Sequence, residues 1–342
     1  METSLIGSSG VKVTRVGLGG AAMGGLFSDV TDEDATATIR TAIELGVSYV
    51  DTAPLYGHGK SERFYGTALA GVARDRFTIS TKVGRVLVPV DHFDDPPQFY
   101  NVPLAVPVYD YSRDGVLRSL EESLQRLHLD QVDILLIHDP DEGESVTTDD
   151  FGEPIHYKQT MDATYPVLHE LRARGTVGAI GAAMNQWQAL GRYVTETEID
   201  YVLLAGRYTL LDQSALPELL PLCEEKGVRV ILGGPYNSGV LASDLAPGAK
   251  YFYADASPDV LDRAWAIKAV CDRYGVPLKA AALQFGLGHP AVASTIPGAR
   301  SPAEAEENLA MARVPIPSEL WEELRQERLI LTEAPSPQGL RL

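Results

Sequence analysis

Four side chains in the first half of the sequence are of types that move protons: Asp51, Lys82 and His138, each where a short apolar run ends, and Tyr56 in the loop after the first of these runs. Residues 47–51 are β-branched, aromatic and apolar up to Asp51, which predicts a buried strand ending on an acid. Pro54 and the glycines beyond it force a tight loop that carries Tyr56. Residues 77–82 and 132–138 predict two further strands, ending on Lys82 and His138. A free phenol titrates near 10 and is a weak base at neutral pH. An adjacent ammonium stabilises phenolate, so Lys82 is expected to lower the Tyr56 value, with Asp51 orienting Lys82. His138 is placed to hydrogen-bond a substrate oxygen. This set suits reversible hydride transfer with a coupled proton, and hydride transfer needs a nicotinamide. Singly, each residue has a plainer explanation: a turn cap, a strand-end lysine, a satisfied core histidine. Together at one place they are hard to explain as packing. His58, in the same stretch as Tyr56, sits at a variable loop position and is not assigned to the set.

Alternating strand and helix patterns must position these residues. A hairpin is expected over 5–14. Strands are then expected at 16–20, 47–51, 77–82, 132–138, 177–180, 199–204, 228–232 and 292–296, with helices between and after them. Eight continuous apolar strands, each followed by a helix, predict a single closed (β/α)8 TIM barrel over 1–342. An open doubly wound sheet would want a Gly-x-Gly-x-x-Gly turn after the first strand, which residues 17–24 only approach. In a barrel the strand C-termini form one mouth, so Asp51, Tyr56, Lys82 and His138 converge there. Two long connections, 84–113 and 139–160, leave strands at the same face and are expected to be active-site loops. The first is rich in proline and aromatics and the second in acids.

Composition narrows the partners. The chain has 29 basic and 47 acidic residues, a formal charge of −18, which disfavours nucleic acid and anionic membrane. No apolar run reaches about 18 residues, so no membrane span is expected, and no leader pattern is visible. Two cysteines, Cys223 and Cys271, lack metal or disulfide spacing and are read as buried thiols. No histidine pattern suggests a metal. A cytoplasmic enzyme acting on a small molecule fits these features; the oligomeric state stays open.

The segment from Asp51 through Tyr56 to Glu62, with Ser80–Gly84 and Leu135–His138, resembles the aldo-keto reductase superfamily. The resemblance runs over nearly the whole chain and implies the tetrad Asp51, Tyr56, Lys82 and His138. It also implies NAD(P)H lying extended across the barrel mouth. Residues carried over for cofactor binding are Gly20 and Ala21 after the first strand, and Asn185 at the nicotinamide carboxamide. Tyr236, Asn237, Ser238, Gly239 and Leu241 fall on the loop that wraps the pyrophosphate. Gly298, Arg300, Glu304, Glu307 and Asn308 fall at the adenosine. The chain departs from the family pattern at Met184 (usually serine), Ala205 (usually glutamine) and Gly233 (usually the ring-stacking tyrosine), and Tyr236 is a candidate to cover the ring instead. NADP-preferring members often carry cations where Gly298 and Glu304 stand here. This favours NAD, although Arg300 offers a cation to a 2′-phosphate. Residues 20–25, 184–187, 206–213 and 235–239 are most similar to the sugar and pyridoxal dehydrogenase branch, which oxidises cyclic hemiacetals to lactones. On that reading the first long loop walls the sugar with aromatics and the second meets its hydroxyls with acids. The alternatives are an NADPH-dependent carbonyl reductase of small aldehydes and ketones, or a nucleotide-binding regulatory subunit.

Overall fold

The computed structural model describes residues 1–141 and 156–337. An N-terminal hairpin, β1 (Thr3–Leu5) and β2 (Lys12–Thr14), pairs antiparallel. β3 (Leu18–Gly19), shorter than the expected 16–20, leads to α1 (Asp32–Glu44), whose first turn is capped by the Thr31 side chain accepting from the Asp34 amide. β4 (Tyr49–Asp51) and α2 (Lys60–Leu69) follow, then β5 (Thr78–Val83).

The connection 84–113 is not an irregular loop. It folds into an antiparallel hairpin of β6 (Arg85–Pro89) and β7 (Ala105–Tyr109) before α3 (Arg113–Leu127). Val86, Val88, Val106 and Val108 give it β-propensity that its prolines obscure in the sequence. His58, buried nearby, bonds through Nδ1 to the Ala105 carbonyl oxygen at 2.6 Å and so anchors the hairpin instead of joining the tetrad.

β8 (Ile134–His138) follows. Of the second long connection, 142–155 lies outside the described residues. The chain continues as a helix of α4 (Tyr157–Gln159), a π-helical stretch (Thr160–Thr164) and α5 (Tyr165–Ala173). Next come β9 (Ala179–Met184), α6 (Trp187–Glu196), β10 (Tyr201–Ala205), α7 (Leu219–Lys226) and β11 (Arg229–Gly233). A small unexpected hairpin, β12 (Lys250–Tyr251) with β13 (Ala254–Asp255), precedes α8 (Pro258–Arg273) and α9 (Leu278–Phe285). β14 (Val292–Ile296), α10 (Pro302–Ala312) and α11 (Ser318–Gln326) complete the described elements.

The eight strands β3, β4, β5, β8, β9, β10, β11 and β14 form one parallel sheet in that order. Parallel bridges from Val16 to Thr295 and from Gly19 to Gly298 join its two edges, so the sheet closes into the expected (β/α)8 barrel. Val50, Ile79, Leu135, Ile180, Val202 and Val230 pack between barrel and helices, while Tyr49, Leu136, Tyr201 and Ile231 belong to a second, smaller buried cluster. Buried α2 and α3 are tied by Glu62, which accepts from Arg126 Nε at 2.6 Å and from Thr81 Oγ1 at 2.7 Å. Among the described residues no helix is long and apolar enough to cross a membrane.

Candidate active site

The strand register brings the four expected residues to one mouth. Asp51 pairs laterally with Ser80 on β5, and Lys82 with Leu136 on β8, so Asp51, Lys82 and His138 end adjacent strands. The Lys82 ammonium donates to Asp51 Oδ2 at 2.7 Å and to the Thr52 carbonyl at 2.9 Å. Ser80 Oγ donates to Asp51 Oδ1 at 2.6 Å, so both carboxylate oxygens are held. Lys82 Nζ lies 4.6 Å from the centre of the Tyr56 ring, and the His138 ring meets that ring edge-on with centroids 5.7 Å apart. Tyr56 sits in a turn closed by the Gly59 amide on Pro54 and the Ser61 amide on Tyr56 itself. Gly57 and Gly59 adopt positive φ there, and a Cβ on Gly57 would meet the Gly24 carbonyl oxygen at 2.4 Å.

The electrostatics depart from the expectation for the phenol. Burial, then the Asp51 and Asp139 carboxylates, push the Tyr56 value well above the ordinary 10. The Arg85 guanidinium works in the other direction and is the weaker influence. Tyr56 is thus a neutral hydrogen-bond and proton donor in this state. Burial, with the Arg85 and Lys82 cations, pushes His138 well below its ordinary value, so the imidazole is neutral. A neutral phenol and a neutral imidazole side by side can both face one substrate oxygen.

Beside the tetrad runs a cleft of ≈ 390 Å³ reached by Asp51 and Tyr56. Gly20 and Ala21 line it as expected, and Gly20 has no room for a side chain, since a Cβ would lie 2.5 Å from the Asp51 carbonyl oxygen. Asn185 lines it too, its amide nitrogen 3.4 Å from both the Ala205 carbonyl and the Tyr253 hydroxyl. Asn237, Ser238 and Gly239 form a run of positive φ along the wall, and Asn237 Oδ1 is buried there without a partner among the described residues. Consecutive turns of this kind present backbone amides to anions, and an orphaned buried acceptor asks for a donor.

Two of the expected cofactor residues stand apart from the others. Leu241 does not line the cleft; it is buried in the core, because the loop's one-turn helix directs it inward. Tyr236 lines the far end rather than the tetrad end: its hydroxyl donates to Asn308 Oδ1 at 2.8 Å, and Lys279 Nζ lies 5.4 Å from its ring. Gly298, Arg300, Glu304, Glu307 and Asn308 all line that far end. Asn308 also donates to the Gly298 carbonyl at 3.1 Å, so its amide braces the wall. Arg300 is bound by Glu304 through its backbone amide and guanidinium, both at 2.9 Å, and donates to Ser28 Oγ at 3.0 Å.

Sequence reasoning missed Phe252, Tyr253 and Lys279, which also line the cleft. Phe252 and Tyr253 take positive φ at the tip of the β12–β13 hairpin, with the Arg207 guanidinium 3.5 Å from the Phe252 ring. Three consecutive aromatics, Tyr251 to Tyr253, in a polar loop were the available signal. Lys279 had none, because only the packing of α9 against α10 brings it to Glu307, at 2.5 Å.

A closed (β/α)8 barrel with an acid, phenol, lysine and imidazole at its C-terminal mouth, beside a long cleft, defines an oxidoreductase of the barrel type. The chain belongs to the aldo/keto reductase family, whose model matches residues 15–328. It is 38% identical to pyridoxal 4-dehydrogenase of Microbacterium luteolum, over 96% of this chain and 98% of that protein. It is 36% identical to D-threo-aldose 1-dehydrogenase of a Pseudomonas species, over 95% and 97% of the two chains. Among solved structures it is similar to an aldo-keto reductase of Bacillus halodurans in its holo form, with a TM-score of 0.74, 25% identity and coverage of 100% and 98%. Aldo-keto reductases use NAD(P)H. The cleft fits such a dinucleotide: it is long, lined by glycines, and carries an orphaned polar atom and a run of left-handed turns along its wall.

Proposed function

We propose that this enzyme oxidises a cyclic hemiacetal, an aldose or pyridoxal, to its lactone with NAD. The observation that carries the substrate class is the near full-length similarity to two dehydrogenases whose named substrates both close to hemiacetals. Bound nicotinamide supplies the hydride acceptor. Asn185 would hold its carboxamide end, residues 237–239 the phosphates, and Gly298 with Asn308 the adenosine end. Tyr56 exchanges the proton of the anomeric hydroxyl, His138 fixes that oxygen, and Lys82, oriented by Asp51, holds its charge beneath the Tyr56 ring.

The coenzyme assignment rests on charge. Both cations at the far end are neutralised within the chain, Arg300 by Glu304 and Lys279 by Glu307. A dianionic 2′-phosphate would have to displace Glu304 from Arg300, whereas a ribose hydroxyl does not. A second reading, reduction of small aldehydes or ketones, is favoured by one observation: the raised Tyr56 value keeps the phenol protonated, ready to donate. The test is a panel of aldoses, pyridoxal and small aldehydes with NAD, NADH, NADP and NADPH, followed at the reduced-cofactor absorbance. Oxidation of an aldose or pyridoxal with NAD is expected; NADPH-dependent aldehyde reduction with no NAD-dependent oxidation would overturn the proposal.

A further inference from the structure

Next to the tetrad stands a second charge pair that hydride transfer itself does not require. Asp139 follows His138 directly and takes a left-handed backbone, φ 42, a conformation aspartate tolerates better than most residues. Its amide donates to the Ala183 carbonyl on β9 at 3.0 Å, which fixes the turn. The carboxylate Oδ2 then lies 3.2 Å from His138 Nε2 and 3.3 Å from an Arg85 guanidinium nitrogen.

Arg85 is itself firmly placed. It opens the β6–β7 hairpin directly after Gly84, whose φ of 113 and contact with the Tyr111 ring, 2.1 Å from where a Cβ would stand, exclude a side chain. Its guanidinium donates to the Tyr109 hydroxyl at 3.2 Å and lies 4.7 Å from the Tyr109 ring centre. The Arg85 and Asp139 side chains are almost entirely shielded from water.

Contacts of 3.2–3.3 Å are long for charge-assisted hydrogen bonds, which cluster at about 2.7–2.9 Å. A carboxylate offers about four acceptor sites. Two long contacts on one oxygen therefore leave Asp139 able to take another donor. The reacting oxygen belongs between Tyr56 and His138, and Asp139 is one hydrogen-bond length further along. A substituent on the carbon adjacent to the reacting one is the first substrate group that could reach that position.

We propose that Asp139, held by Arg85, is a specificity-determining residue that accepts a hydrogen bond from a hydroxyl on the carbon adjacent to the reacting C–O group. For the oxidation this rests on the hemiacetal reading above and selects aldoses with an intact 2-hydroxyl. A substrate lacking that hydroxyl leaves a buried carboxylate short of a donor, and sites built to bond a hydroxyl discriminate strongly against its absence.

The experiment compares matched pairs in the wild type, Asp139→Asn and Arg85→Lys: an aldose and its 2-deoxy form with NAD, and glycolaldehyde and acetaldehyde with NADH. In the wild type, kcat/KM should favour the hydroxylated member by about 10- to 100-fold, the range for a hydrogen bond to a charged group. Asp139→Asn should collapse that ratio to within about threefold, whatever change it makes to the rate common to both members through His138 and Tyr56, and Arg85→Lys should shift it part of the way. Both variants slowing the two members of each pair equally would overturn the proposal, since loss of His138 alignment or of folding would act on both. No turnover of the aldose pair with a normal response of the aldehyde pair would overturn the hemiacetal reading and leave Asp139 in the assigned role.

Discussion

The Lys82 ammonium and the Asp51 carboxylate lie 2.7 Å apart with both side chains closed off from water, and the ammonium sits 4.6 Å from the Tyr56 ring centre. Two ends of neighbouring strands are thereby locked into one charge pair directly under the phenol. A buried pair of this kind is costly to break from one side, because the remaining charge is stranded. Lys82→Met should lower unfolding free energy by about 3–5 kcal/mol and turnover by at least about 100-fold. Asp51→Asn combined with Lys82→Met should recover much of the stability in urea titrations but none of the turnover. Recovery of both would remove the pair from the mechanism.

Tyr56 predicts a pH dependence. Its value is raised well above 10 by burial and by Asp51 and Asp139, so the phenol is protonated throughout the neutral range. Oxidation needs the phenol to take a proton, so its kcat should climb with pH through the alkaline range without a plateau below about 10. Aldehyde reduction needs the phenol as donor and should not decline over the same interval. Tyr56→Phe should abolish turnover in both directions, while NADH binding, read by fluorescence titration, stays within about threefold of wild type. A near-normal rate in that variant would exclude Tyr56 as the proton carrier.

The Arg300–Glu304 pair predicts how coenzyme preference changes. Glu304→Lys removes the carboxylate that holds Arg300 and adds a second cation at the same end of the cleft. KM for NADP should drop by about tenfold or more, the scale of one or two charge-assisted phosphate contacts. KM for NAD should change little. Steady-state kinetics with both coenzymes decides this, and an unchanged NADP value would place the 2′ position elsewhere.

Glu62 offers a stability prediction away from the chemistry. Fully buried, it accepts from Arg126 and Thr81 and so ties α2 to α3 and β5. Glu62→Ala should cost about 1.5–3 kcal/mol in denaturant unfolding, because Thr81 and Arg126 lose their buried acceptor while Arg126 keeps Glu122, at 3.9 Å, and Ser123 as partners. Turnover per folded molecule should change by less than about threefold, as Glu62 reaches neither Tyr56 nor the cleft.

Much of the barrel was legible because parallel strands buried on both faces write themselves as continuous apolar runs. Val47 to Asp51 and Val132 to His138 showed both a strand and the polar residue that ends it, and the rule that barrel mouths gather strand C-termini was enough to group Asp51, Lys82 and His138. The β6–β7 hairpin was hidden because its prolines argue against a strand locally, while pairing across the hairpin tolerates them at an edge.

The sequence alone determined that Asp51, Tyr56, Lys82 and His138 meet, because the strand ends follow from local pattern and a barrel gathers them at one mouth. Only the tertiary structure decided their electrical state and their partners. Depth of burial and the Asp51 and Asp139 carboxylates hold Tyr56 protonated where an adjacent lysine had suggested the opposite. Tyr236 went to Asn308 instead of the tetrad, Lys279 arrived from α9, and Asp139 met Arg85 at the end of the neighbouring strand. Such contacts join residues far apart in sequence, and desolvation depends on everything packed around a group, so neither is written in any local stretch of the chain.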